Sequence, residues 1–483
     1  ARSVGGRSPS RPISVTTWRC PSIRAANCVV RGFVINRFNG GTPFSGNGIR
    51  IVAAGNAIIE GNYIGTDING TTALSNGAGV TMEGPSNSNT VGGTVATARN
   101  VISGNGVGIR MLVGSAGRND QSVIAGNYIG TDATGSVALG NGSGVVLTDT
   151  ATLTTIGGST FGSRNVISGN HGNNIGLRAL ELTVSGVVIQ GNFLGTDVTG
   201  ATPLGGIHGV DIDTSGVTTR FVVGTGIGGT TAGARNIISG NSEVGIRLSF
   251  DLSNATHIQG NYIGTDVTGS HSVANGGGIS LEADPTANTI GGSVSGARNI
   301  ISGNTSFGIV MGFHSSGGSN VVQGNFIGTD VTGTNKLGNG GTGVGVVIQP
   351  INPSDVQIRE NVIANNGGTG VNVTTNCLGC RGSGLVISNN QIGTDLTGQI
   401  DMGNGLDGFD TELKFNSPLH VKHLQTLVDL QKDKTFDYSG RTNEAERRFQ
   451  QRPRRRLRPR QLDDRHSRQR QAGPAQHRDE DRH

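Results

Sequence analysis

The sequence predicts an all-β chain, a single right-handed parallel β-helix solenoid of about 12 coils, with two coils in each super-repeat of about 65 residues. Three observations predict it. Glycine supplies 83 of 483 residues, while 1 Trp, 4 Tyr and 14 Phe are too few to fill a bulky core. Gly-Thr-Asp recurs six times, ending at Asp67, Asp132, Asp197, Asp266, Asp330 and Asp395, at intervals of 65, 65, 69, 64 and 65. Between these marks run short glycine-plus-aliphatic strands, each with one or two inward aliphatics. Such strands gain stability only by pairing with counterparts in the coils above and below.

The strands recur at Ile49, Val80, Ile109, Val145, Leu177, Val210, Ile246, Ile279, Ile309, Val346, Val371 and Phe409. Each coil reads as three strands: GIxL or GVxL, then NTIGG or xVIxGN, then NVISGN or YIGTD. Stacked at about 4.8 Å, twelve coils make a rod of roughly 58 Å, and parallel crossovers of this kind are right-handed in about 98% of cases. Variation between coils falls in the GTDxTGxxxLGNG and TxxxAR segments, which should project on fixed sides. The asparagine of each xGN corner (Asn62, Asn127, Asn192, Asn261 and Asn325, then Asn105, Asn170, Asn241 and Asn304) suits a left-handed bend and a stacked amide ladder.

Collagen is excluded by the lack of a Gly-X-Y period, and disorder of the body by its Val and Ile content. No stretch approaches the roughly 20 apolar residues of a membrane helix. The net charge of +5 is unevenly placed. Residues 1–31 carry six Arg and no acid, and 441–483 carry fourteen Arg and seven acids, leaving 18 basic against 26 acidic residues between. An acidic body argues against nucleic acid as its partner.

The motifs VQGNFIGTDVTG (Val322–Gly333), NTIGG (Asn288–Gly292) and ARNIISGN (Ala297–Asn304) resemble the right-handed parallel β-helix repeat proteins of bacteria, of pectin-lyase-like fold. The resemblance covers residues 28–413. It implies a secreted or cell-surface location and the β-helix fold, but no reaction, since that fold hosts lyases, hydrolases, adhesins and structural shafts alike.

Chemistry on such a rod is expected where residues depart from the repeat. The GTD aspartates and the ARN arginines (Arg99, Arg164, Arg235, Arg298) recur in register, so an Asp–Arg pairing or an Asx-turn accounts for them. Tyr63, Tyr128, Phe193, Tyr262 and Phe326 alternate with Val101, Val166, Ile237 and Ile300, which reads as an internal aromatic–aliphatic stack in preference to a sugar platform. The outward position of the GIxL strand runs Arg50, Thr81, Arg110, Val146, Arg178, Asp211, Arg247, Ser280, Val310, Val347, Asn372, Asp410. Arg178, Asp211 and Arg247 should therefore adjoin. With His208, Asp213 and, two coils on, Glu282, they form the concentration of off-repeat charge. A Ca²⁺-assisted lyase or a hydrolase with paired carboxylates would use these residue types. The simpler expectation is a surface salt-bridge ladder worth at most about 1 kcal/mol per pair.

No cofactor is expected. Gly403–Phe409 resembles a single calcium-type β-roll repeat, chemistry that needs consecutive copies, so it is expected to close the last coil, and Ca²⁺ stays without further support. His171, His257, His271 and His314 fall in different coils without zinc-ligand spacing. Cys20 and Cys28 lie near one end, Cys377 and Cys380 near the other, too far apart to cross-pair. A local Cys377–Cys380 disulfide suits an oxidising compartment.

Three functional readings follow: a scaffold or binding protein presenting an extended surface to carbohydrate or other extracellular ligands, a polysaccharide lyase or hydrolase of acidic glycans, and a calcium-assisted adhesin module. Residues 414–440 are expected to cap or link. Residues 1–27 and 441–483 are arginine-rich, repeat-free and expected to be disordered, either as basic arms or as out-of-frame coding sequence, and the chain's start at Ala1 suggests a missing N-terminal segment. On the frameshift reading, the gene should continue repeat-like text past codon 440 in another frame, and sequencing that region checks it.

Overall fold

The computed structural model describes residues 22–40, 46–112, 119–149, 151–180, 182–214, 221–249, 253–283, 285–313, 318–348, 355–375 and 385–411. These form a parallel β-solenoid. Sheet 1 has thirteen strands, from Ser22–Ile23 to Phe409–Thr411, while sheets 2 and 3 have twelve each, from Val29–Arg31 to Val386–Ser388 and from Val34–Ile35 to Gln391–Ile392. Twelve coils contribute one strand to each, in the predicted order, and Phe409–Thr411 adds a thirteenth to sheet 1 alone. The middle coils add a fourth, five-stranded sheet of two-residue strands from Asn119–Asp120 to Ser253–Asn254. No aliphatic pattern marks those strands, so the sequence did not reveal them. No described helix is long and apolar enough to cross a membrane. Residues 1–21 and 412–483, with Cys20 and the expected cap among them, lie outside the described residues, as do His314 with 314–317 and Cys377 and Cys380 with 376–384. Residues 22–27 of the segment expected to be disordered are instead ordered, Ser22 and Ile23 pairing with Arg50 and Ile51.

Period-2 alternation sets the core. In one coil Ile279 and Leu281 from sheet 1, Ile290 from sheet 2 and Ile301 from sheet 3 point inward and are at most 1% exposed. The same places are filled by Val, Ile, Leu or Met along the rod, giving one continuous hydrophobic column. Slender side chains suffice because each layer is sealed by the layers on either side.

Two uninterrupted amide ladders run beside this column. In the first, each Asn Nδ2 donates to the Oδ1 of the next through Asn62, Asn100, Asn127, Asn165, Asn192 and Asn236 at 2.9–3.1 Å. It continues through Asn261, Asn299, Asn325, Asn361 and Asn390. The ARN asparagines thus interleave with the xGN asparagines, a partnership that their different motifs conceal. The second ladder starts at Asn76 and Asn105 and ends at Asn366 and Asn404. Left-handed backbone at the corner belongs to the preceding glycine, not to the asparagine: Gly126 has φ +72° and Gly191 +72°. Where glycine is absent, Glu360 and Asn389 adopt φ of 58° and 56°.

The register of sheet 1 differs from expectation in two coils. Ile175, not Leu177, pairs with Val145 and Val210, and Val344, not Val346, pairs with Ile309 and Val371. In both strands a glycine follows the first inward aliphatic, and aligning it with the glycine that precedes this position elsewhere slips the strand by two residues.

Replacing Asn236 with Leu takes the Oδ1 acceptor from both the backbone N–H and the amide of Asn192, and removes one donor each from Ile189 O and from Asn261 Oδ1, which keeps the Asn236 backbone N–H. The expected loss is at least about 3 kcal/mol, from several buried groups at roughly 1–3 kcal/mol each. Asn390→Leu, at the ladder's end, should cost markedly less, and urea unfolding of both variants measures the difference.

Candidate functional site

The corrected register changes the outer row of sheet 1 where it matters. Gly176 stands between Val146 and Asp211, while Arg178 lines up with Thr148 and Asp213. Asp211 does adjoin Arg247 on the next coil, and Ser249 lines up with Glu282. Of the expected Arg178–Asp211–Arg247 run, only the last pair forms. A Cβ at Gly176 would meet nothing within 4 Å, so the row has a gap one side chain wide beside Asp211.

Around that gap the polar groups are joined across coils. Arg247 Nη1 donates to Asp211 Oδ1 at 3.3 Å, and its Nε donates to Glu282 Oε2 at 3.1 Å. Glu282 Oε1 accepts from Ser280 Oγ at 2.8 Å. Asn173 Nδ2 reaches Asp211 Oδ2 at 2.6 Å from the preceding coil. His208 Nδ1 accepts the Val244 N–H at 3.2 Å, which places the proton of the neutral ring on Nε2. Asp211 is only 2% exposed although its side chain lies on the outer face. Arg178 is exposed and makes no hydrogen bond or ion pair with any described residue. The ion pairs therefore run Asp211–Arg247–Glu282 and do not reach Arg178.

Burial pushes the Asp211 carboxyl above the usual carboxylate range, against the opposing pull of Arg247, His208 and Arg178 and with a smaller push from Asp213. For Arg247 burial works downward, but the hydrogen bond and charge of Glu282, with Asp211 and Asp213, outweigh it and raise its pKa.

The coil that carries His208, Asp211 and Asp213 is also where the second amide ladder lacks its own asparagine. Gly206 occupies that corner, and Asn174 fills the space a side chain there would take. Asn170 Nδ2 donates to Asn174 Oδ1, and Asn174 Nδ2 to Asn241 Oδ1, so the ladder skips across. Asn173, Asn174, Gly176 and Gly206 escaped sequence reasoning. The signal was present as HGNNIG and LGGIHG, where an asparagine is gained in one coil and lost in the next.

The register-locked residues are structural. Asp197 Oδ1 accepts from the Thr199 hydroxyl and from the backbone N–H groups of Thr199, Ala201 and Thr202, closing an Asx-type turn. Partial burial acts upward on these carboxyls, but hydrogen bonds outweigh it and hold Asp67, Asp197, Asp266, Asp330 and Asp395 below the ordinary range. The turns stack two coils apart, with Val198 N donating to Gly135 O and Val267 N to Gly200 O. The ARN arginines do not pair with these aspartates. Arg99, Arg164, Arg235 and Arg298 lie over Tyr128, Phe193, Tyr262 and Phe326 at 4.0–4.1 Å, and each Nε donates to a corner glycine carbonyl. The aromatic–aliphatic stack exists, but on the outer face of sheet 3, apart from the central core and buried under these arginines and the GTD turns.

His171 contacts Asn141 O, His257 is exposed on sheet 2, and His271 meets Asp266 on a turn. Cys28 is a half-buried free thiol. Among the described residues no three His, Cys, Asp or Glu side chains converge as a metal site.

No protein-family model matches the chain. Over 46 residues it is 56% identical to the sn-glycerol-3-phosphate-binding periplasmic protein UgpB of Brucella abortus, and over the same length 52% and 54% identical to those of Rhizobium meliloti and Agrobacterium fabrum. These matches cover 10% of this chain, which spans about a tenth of the length of the curated relatives it matches (11% of each). Among solved structures, the periplasmic alginate epimerase AlgG aligns with a TM-score of 0.40 at 14% identity, covering 75% of this chain and 70% of that one. PfbA, a surface adhesin of Streptococcus pneumoniae, aligns with a TM-score of 0.21 at 9% identity over 71% and 81%.

Asp211→Asn should be neutral or stabilising at neutral pH, since it removes a buried charge but keeps an acceptor for Asn173. Arg247→Met should cost roughly 1–3 kcal/mol by leaving Asp211 without its cation. Thermal unfolding of the two variants tests this opposite ordering.

The pH response has two signs. The carboxyls of Asp67, Asp197, Asp266, Asp330 and Asp395 are depressed on folding, so their stabilisation is complete above about pH 4 and drains away as pH falls below it. Asp211, raised on folding, contributes oppositely: the destabilisation from its buried charge disappears as pH falls through its folded value. Denaturation midpoints measured from neutral to strongly acidic pH should fall steeply at the acid end in the wild type. Asp211→Asn should remove only the milder, opposing component.

Proposed function

We propose that this chain is a secreted or cell-surface β-helix that presents an extended surface to extracellular ligands, carbohydrate foremost, and binds them on the outer face of sheet 1 around Arg178, His208, Asp211, Asp213, Arg247 and Glu282. The observation that carries the reading is the coincidence of the off-repeat charges with the ladder detour at Gly206 and Asn174. A coil that had only to stack would keep its own corner asparagine. In this coil the stacking device is rerouted while the outward residues change chemistry together.

Binding suits the geometry better than turnover. A lyase or hydrolase needs a base or carboxylate that touches the reacting atoms. Both Asp211 oxygens are occupied and the residue is 2% exposed, while Nδ1 of His208 is taken by a backbone N–H. Arg178, the outer part of Arg247 and Glu282 are accessible, Glu282 being engaged by Arg247 and Ser280, and the two guanidinium groups serve recognition.

A glycan array with the full chain should give hits that Arg178→Ala reduces about tenfold or more, the loss expected for a charge-assisted contact. An ultraviolet assay on the same glycans should detect no unsaturated uronate product. Turnover that Asp211→Ala abolishes would overturn the non-enzymatic reading.

A further inference from the structure

Much of the hydrogen-bonding capacity around Asp211 is unused. Arg247 places Nη1 on Asp211 and Nε on Glu282, and no described residue accepts from its Nη2. Its side chain remains 27% exposed. Arg178, on the preceding coil, has no partner among the described residues, and His208 keeps Nε2–H without an acceptor there. N–H donors of Arg178, of His208 just ahead of the Asp211 strand, and of Arg247 thus come from three successive coils to the neighbourhood of Asp211, beside the gap in the side-chain row at Gly176.

Charge decides when those donors are available. The groups facing Asp211 are Arg178 from the strand before, His208 just ahead of its own strand and Asp213 on it, and Arg247 from the strand after, with Glu282 one coil further. With Asp211 ionised, the Arg247 guanidinium is divided between two carboxylates, Asp211 and Glu282. That arrangement leaves it little charge for an incoming anion.

Given that this face binds the ligand, as proposed above, we infer that it is an acid-enhanced site for an anionic group, a carboxylate or a sulfate, in which proton uptake by Asp211 releases Arg247 Nη1 to join Arg178 and His208 Nε2–H in holding that group. The proton comes from solvent and stays on the Asp211 carboxyl, which can still accept from Asn173 Nδ2. No covalent bond changes. The burial that raises the Asp211 pKa works in the same direction. Because the proton and the anion favour the same state, each tightens the other.

The test measures binding of fluorescent oligogalacturonate, dextran sulfate and neutral dextran to the full chain at about pH 5 and about pH 7.5, at fixed ionic strength. Both anionic probes stay charged across this range. Either or both should bind roughly fivefold or more tightly at the lower pH, and which one does identifies carboxylate or sulfate. Asp211→Asn should bind at the higher pH as the wild type does at the lower, and should lose the pH dependence. Arg178→Gln, a surface change that leaves the coil packing alone, should weaken anionic probes at both pH values. Retained pH dependence in Asp211→Asn, or anion binding that weakens on acidification, would overturn the inference. Binding of neutral dextran alone would overturn it while leaving the surface-presentation reading standing. Failure of every probe at both pH values would count against that reading itself, and this inference with it.

Discussion

Everything in the rod depends on satisfying corner amides without water. Each coil turns three times in about thirty residues, and every turn leaves backbone groups facing the interior, where an orphaned donor or acceptor costs roughly 1–3 kcal/mol. Asparagine supplies one acceptor and two donors on a short arm, and here all are used. Asn127 Nδ2 binds Asn165 Oδ1, Val91 O and Ala125 O, while its Oδ1 takes both the backbone N–H and the amide of Asn100. Once the corners are fixed in this way, a thin aliphatic column is core enough, and the outer faces are released for other purposes.

The same logic separates structure from site. Residues locked to the repeat turn out to serve turns and lids: the GTD aspartates hold their own hairpins, and the arginines shield the aromatic row of sheet 3. The outer face of sheet 1 obeys no such repetition. Near its N-terminal end Arg110 binds Thr81 and Asn47 while Arg50 meets Glu83, and further along Asp211 and Arg247 take over. Each group is a local solution, which is what a recognising surface requires and a stacking surface does not.

Period, coil count, strand order and the presence of stacked corner asparagines were legible because stacking imposes the same chemistry at every layer. Which asparagines share a ladder was not, since Asn62 stacks on Asn100, and Asn105 on Asn76 and Asn141. What escaped detection depends on single positions. The slip at Ile175 arose because glycine marks two different places in the strand motif, before the first inward aliphatic in most coils and after it in two. The aromatic row was placed inside because alternation tells which residues share a face, but not which face is covered by a loop returning from another part of the coil. The Asn173–Asp211 bond runs diagonally between coils, and no spacing rule along the chain encodes it.

The amide ladders also have a direction. In every rung Nδ2 belongs to the earlier asparagine in the chain and Oδ1 to the later, and where the earlier asparagine's own backbone N–H also points at that Oδ1 the orientation is fixed by the main chain, as at Asn62, Asn127 and Asn192. The two columns are therefore strings of aligned dipoles running the same way along the axis. A coil presented upside down would set donor against donor at both corners. The rod is thus a polar object with distinguishable ends, and any segment that extends it must arrive in one orientation only.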